Sequence, residues 1–296
     1  MKTKINHLLG AVLSLLVTAA LTVSATAQNG PIVFNSYILG TPAQVFVMNP
    51  DGGNLRQLTT GKTSAGGAAW HPSLEYVSFF RDGDLVIMQA LREGGRVRPF
   101  TVGPAHNGAA FSPDGLNIVC VGTWPDNGLE AIIIRTVDVA KKKVGPATPV
   151  WFGFDAYAPS YSPDGRKLTF SSRTDSPDGR PHVKVLDLAT AAVTSYDTIN
   201  GVVPTYSPDG ERIAFSSTLP DNAGIGLYVT SIDGTELIEV TRVASGGLAW
   251  ISYSQDGTQL VFASNVSGVY SIYKVTLADG TVTLLKSGAN APHWRP

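Results

Sequence analysis

With one cysteine, Cys120, in 296 residues, the chain has no pair for an internal disulfide, so its stability must come from packing. Charge is scarce too: Asp, Glu, Lys and Arg make up 15% of the chain, 22 basic residues against 23 acidic ones. No field of one sign is present to draw in nucleic acid or an anionic membrane, and neither is expected as a partner. Long stretches free of chain breakers are also missing. The 31 Gly and 19 Pro are spread along the whole sequence, which excludes an all-helical protein. Beyond Val23 no segment is apolar for long enough to cross a bilayer, so no membrane insertion is expected of the mature chain. The 43% of hydrophobic residues excludes disorder and collagen.

The first residues read as a targeting segment. MKTKINH carries Lys2 and Lys4, Leu8 to Val23 is almost wholly apolar, and Ala25, Thr26 and Ala27 supply the small residues of a cleavage site. A signal peptide over residues 1–27 is expected, cut after Ala27, with residues 28–296 forming one domain in the periplasm or outside the cell. The mature chain then holds 20 basic and 23 acidic residues.

Within residues 28–296 one unit recurs. YSPDGRKLTFSS begins at Tyr161, YSPDGERIAFSS at Tyr206, YSQDGTQLVFAS at Tyr253, FSPDGLNIVCVG at Phe111 and the degenerate WHPSLEYVSFFR at Trp70. In each, an aromatic is followed nine positions later by Phe or Cys: Phe79, Cys120, Phe170, Phe215 and Phe262. A sixth copy is split between the ends, opening at Trp294 and closing at Phe34. Alternating β-rich runs follow the motif, such as QVFVMN from Gln44 and HVKVLD from His182, giving four strands per unit. Successive aromatics lie 41, 50, 45, 47 and 41 residues apart, a period that suits one four-stranded propeller blade. An all-β, six-bladed propeller of antiparallel blades is predicted, closed by the C-terminal strand joining the N-terminal blade, so that no sheet edge is left open there. Asp114, Asp164, Asp209 and Asp256 are read as turn formers, since Pro presets φ, Asp bonds nearby amides and Gly tolerates positive φ.

With this motif, the sequence resembles the TolB-like propeller family, whose repeats carry [YWF]SPDG followed by an apolar strand ending in F[SA]S. The resemblance spans nearly all of residues 29–296, and it implies a secreted or periplasmic six-bladed propeller used for binding. Related propellers also precede the catalytic domain of prolyl-oligopeptidase-like peptidases, but the sequence contains no GxSxG.

Strand alternation puts both short turns of each blade on one face of the disc. The longer connections, among them residues 123–130, 173–181 and 265–269, fall on the other, where binding residues concentrate. The crossings on that loop face are expected to bring His106, Asn107, Asp155, Tyr157, Asn200 and Asn290 to the channel mouth. In VWFGFDAY, Val150 to Tyr157, some aromatics must fill a blade interface. Any left exposed, such as Phe154, would form with Trp124 an aromatic anchor for a partner. The four histidines of the mature chain, His71, His106, His182 and His293, fall at different depths and sides, so no metal or cofactor is expected. Cys120 reads as a buried, inert thiol. The function expected is a non-catalytic, monomeric binding scaffold that recognises a protein or peptide segment of the cell envelope. The alternative is a carbohydrate-binding or oligosaccharide-degrading propeller of the lyase type.

Overall fold

The computed structural model describes residues 29–37, 41–90, 99–105, 107–218, 224–243 and 246–295. The targeting segment and its cleavage site lie outside these residues, as does His106. The described chain forms six four-stranded antiparallel sheets. Blade 1 contains β1 (Ile32–Ser36), β2 (Gln44–Met48) and β3 (Arg56–Gln57). Blade 2 is β4 (Ala65–Trp70), β5 (Tyr76–Arg81), β6 (Asp84–Gln89) and β7 (Phe100–Pro104). Blade 3 is β8 (Asn107–Phe111), β9 (Asn117–Thr123), β10 (Glu130–Asp138) and β11 (Lys143–Phe152). Blade 4 is β12 (Tyr157–Tyr161), β13 (Lys167–Ser172), β14 (His182–Asp187) and β15 (Val193–Asn200). Blade 5 is β16 (Val202–Tyr206), β17 (Arg212–Ser217), β18 (Ile225–Ser231) and β19 (Leu237–Val243). Blade 6 is β20 (Leu248–Tyr253), β21 (Gln259–Ser264), β22 (Ser271–Thr276) and β23 (Val282–Ser287). The last strand, β24 (Ala289–Trp294), returns to blade 1 as its inner strand, pairing with β1 in the order β24-β1-β2-β3.

The closing pair keeps the register of the other blades. Trp294 stands opposite Ile32, as Tyr161 does opposite Leu168 and Tyr206 opposite Ile213. Two residues further on, Phe34, Phe79, Cys120, Phe170, Phe215 and Phe262 are all buried. The buried apolar residues gather into six clusters, each shared by two neighbouring blades. A lone four-stranded sheet cannot cover both its faces; in a ring each blade buries its neighbour's.

The SPDG segments are turns. In blade 4 the Ser162 hydroxyl donates to Asp164 Oδ1 at 2.6 Å, the Arg166 amide donates to the same oxygen at 3.0 Å, and the Lys167 amide donates to Ser162 Oγ at 2.9 Å. The same bonds recur around Asp114, Asp209 and Asp256. With the Ser162 hydroxyl as the main cause, the Asp164 carboxyl is held below its ordinary pKa. Gly165, Gly210 and Gly257 have positive φ, and a Cβ there would lie 3.5, 3.5 and 3.6 Å from Pro113, Pro163 and Pro208 of the preceding blade. Each motif therefore sets its own turn and props the next one around the ring.

Candidate functional site

Each inner strand pairs on one side only, so its other edge faces the axis. Each also carries a register shift three residues ahead of its repeated aromatic. The residue there, Gly67, Gly108, Ala158, Val203, Trp250 or Ala291, has a φ between 45° and 62°. Such bulges bend the strand and re-aim its side chains. For the β-branched Val203 this backbone is strained, and strain of this kind collects where a surface is shaped for use.

The bulges line a cavity of about 580 Å³ on the loop face of the axis. Among its lining residues are Tyr37, Phe80, Asn107, Tyr157, Trp250 and Asn290. Tyr37, Tyr157 and Trp250 keep 57%, 37% and 38% of their surface exposed, enough for each ring to offer a face to a ligand. Trp250 is steadied edge-on by Tyr270, 5.6 Å between centroids. The buried Asn290 accepts a hydrogen bond from the Asn35 carboxamide, whose oxygen accepts the Gly67 amide at 3.1 Å. The Tyr157 hydroxyl donates to Asp155 at 3.4 Å, and Asp155 is paired with Arg173 at 2.9 Å.

Of the eight residues expected at this site, Asn107, Tyr157 and Asn290 line the mouth. Asp155 stands behind Tyr157, and His106 lies outside the described residues. Asn200, expected at the channel, instead borders a separate cavity of about 460 Å³ beside β16 and β20, and accepts the Ser217 hydroxyl at 2.8 Å. Trp124 packs against the core between blades 2 and 3. Phe154 is 63% exposed, so it is free to meet a partner. From the same segment Trp151 fills the interface between blades 3 and 4, its ring 4.9 Å from Phe170. At Gly153 a Cβ would fall 2.0 Å from the Trp151 ring, so any side chain there would force that ring to shift. Tyr37, Phe80, Trp250 and Asn35 were not singled out from the sequence. The spacing of Trp250, three residues before Tyr253, marks it as an inner-strand residue, but only the bulge turns it to the axis.

A second cavity, of about 310 Å³, opens on the turn face and is lined by the six repeated aromatics. Ala110, Ser160, Thr205 and His293 border both cavities and mark the waist between them. His293 is the one large side chain of the four. The Trp70 amide donates to its Nδ1 at 3.4 Å, which puts the ring proton on Nε2. Burial holds this imidazole down, to a pKa of about 4. Its unfolded form takes up a proton near pH 6.5, the folded form only near 4, so stability falls as pH drops through that window. Because His293 is half-buried where it lines the two cavities, the loss is expected to be only a part of the roughly 3 kcal/mol that the whole shift would carry. His71, also depressed by burial, acts in the same direction. Urea melts at pH 7 and 4.5 are expected to differ less for His293→Gln than for the parent.

Away from the axis, burial pushes the Cys120 thiol up to about 11, which leaves it protonated and unreactive at neutral pH. The 173–181 loop is tied back by His182, whose Nε2 donates to Asp178 at 2.8 Å. Among the described residues no three His, Cys, Asp or Glu side chains stand together as metal ligands, and no helix is long and apolar enough to cross a membrane.

Residues 155–296, which contain blades 4 to 6 and β24, match the family model PD40, the TolB beta propeller domain. No curated protein matches the chain. The crystal structure of TolB from Acinetobacter baumannii is similar at 18% identity and a TM-score of 0.73, over 90% of this chain and 67% of that one. The putative TolB from Agrobacterium tumefaciens is similar at 19% identity and a TM-score of 0.69, over 89% and 91%. An oligogalacturonate lyase from Vibrio parahaemolyticus is similar at 14% identity and a TM-score of 0.57, over 87% and 79%. At these identities the solved structures speak for the fold, and the family model speaks for the second half. The chain is a six-bladed β-propeller whose second half matches the TolB beta propeller domain.

Proposed function

We propose that the chain is an exported binding scaffold without catalysis of its own, which takes a protein or peptide segment of the cell envelope at its loop face and channel mouth. The observation that carries this reading is the mouth: a cavity of about 580 Å³ ringed by exposed rings of Tyr37, Tyr157 and Trp250 beside the amide of Asn107. Rigid aromatics with neutral hydrogen-bonding neighbours are what protein interfaces use as anchors. Asn107, Tyr157 and Asn290 meet the segment in the mouth, Asp155 holds Tyr157, and Phe154 extends the contact across the loop face. Trp124 and Asn200 lie away from the mouth, and His106 lies outside the described residues. Export rests on the targeting segment, cut after Ala27 to leave residues 28–296 as one monomeric domain in the periplasm or outside the cell.

A photo-crosslinking residue in place of Tyr157 tests this, with the same residue at Leu116, which is 61% exposed on the turn face, as control. The expected result is a small set of discrete adducts in envelope extract from position 157 and none from 116. Equal adducts from both positions, or none from either, would remove the assignment. The likeness to oligogalacturonate lyases favours a second reading, a carbohydrate-binding or oligosaccharide-degrading propeller. Binding on a glycan array, lost in Tyr157→Ala, would favour it over the first.

A further inference from the structure

We propose that the channel is selective for an uncharged ligand: a peptide stretch without Asp, Glu, Lys or Arg over the residues that enter it. This rests on the reading of the mouth as a peptide site. The described residues lining the two axial cavities include no Asp, Glu, Lys or Arg, although the chain carries 45 of them. What lines the axis is Ala, Pro, Ser, Thr, aromatic rings and carboxamides. Asp155, which holds the Tyr157 hydroxyl, is already paired with Arg173, and the SPDG aspartates are committed to their own turns.

A charge brought into such a channel leaves water and finds no opposite charge to replace it, and that loss is not recovered by packing. The channel imposes the same penalty on its own titratable group: His293 at the waist is kept neutral by burial. A neutral segment loses nothing of this kind. The aromatic rings and carboxamides of the mouth, and the N–H that His293 keeps on Nε2, meet its side chains and its peptide carbonyls. The waist residues Ala110, Ser160 and Thr205 are small and uncharged, so His293 is the one bulky group a segment would meet there.

The test pans a phage-displayed library of random twelve-residue peptides against the exported chain. Selected peptides are expected to be depleted in charged residues relative to the input. A selected peptide given one Asp or one Lys at its centre is expected to bind at least tenfold more weakly. Ser160→Lys, with its melting temperature checked, is expected to restore the Asp peptide, and Ser160→Asp the Lys peptide; Thr205→Lys and Thr205→Asp serve if either Ser160 variant melts early. If charged peptides bind as well as neutral ones and the waist variants still change affinity, the selectivity is wrong while the site stands. If neither the waist variants nor Trp250→Ala alters peptide binding, or no peptide is selected, the mouth is not a peptide site and both readings fall.

Discussion

Deleting residues 289–296 is expected to abolish cooperative folding. The deletion removes β24, which pairs with β1 and packs against blades 2 and 6. Without it the N–H and C=O groups along one edge of β1 lose their partners, and a ring of six blades becomes an open array with a bare strand edge. The apolar loss is as large. Ile32, Phe34, Phe46 and Met48 of blade 1 share their cluster with Ala289 and Trp294 and with Val261 and Ile272 of blade 6, so a single cut unmakes an interface at each end of the chain. Domains of this size are stabilised by roughly 5–15 kcal/mol in total, less than the loss of a whole inner strand. The truncated chain is expected to show no sigmoidal urea transition and to bind hydrophobic dyes.

Trp294→Ala is expected to cost about 3–5 kcal/mol, lowering the melting temperature by roughly 10 °C. Trp294 is 1% exposed and caps the blade 1 to blade 6 junction. Its indole N–H donates to the Gly30 carbonyl at 2.8 Å, and its main-chain N–H donates to the Ser252 hydroxyl at 3.0 Å. A comparison with Trp70, the equivalent residue of blade 2, separates packing from hydrogen bonding. Trp70 is as deeply buried, but its indole N–H has no partner among the described residues. Trp294→Phe is therefore expected to lose about 1 kcal/mol more than Trp70→Phe, which removes a donor that was buried without an acceptor. Equal losses in the two variants would show that the Gly30 bond contributes nothing to closure.

The ring was legible in the sequence because its signal is hydrogen-bond register. The repeated aromatic faces a residue seven positions on, and the residue nine on is buried in the blade interface. Hydrophobicity must recur at that spacing in every blade, including the one divided between Trp294 and Phe34. The SPDG turns were legible for the same local reason, since Ser, Asp and Gly each carry a conformational instruction. The mouth was legible only in part. Alternation predicts which way a side chain points until a bulge reverses it, and four of the six bulges fall at Ala158, Val203, Trp250 and Ala291, none of which favours a positive φ. Nothing in the residue type at 250 announces that the indole reaches the axis. Asn200 was misplaced because it ends an outer strand and bonds to Ser217 before the chain crosses inward.

Hydrogen–deuterium exchange resolved to single amides tests the closed ring most directly. Amides within 32–36, the first strand of the domain, are expected to exchange as slowly as those of 168–172 and 213–217 in the middle of the chain. Exchange of residues 32–36 at the rate of a frayed terminus, with the others protected, would contradict a closed ring.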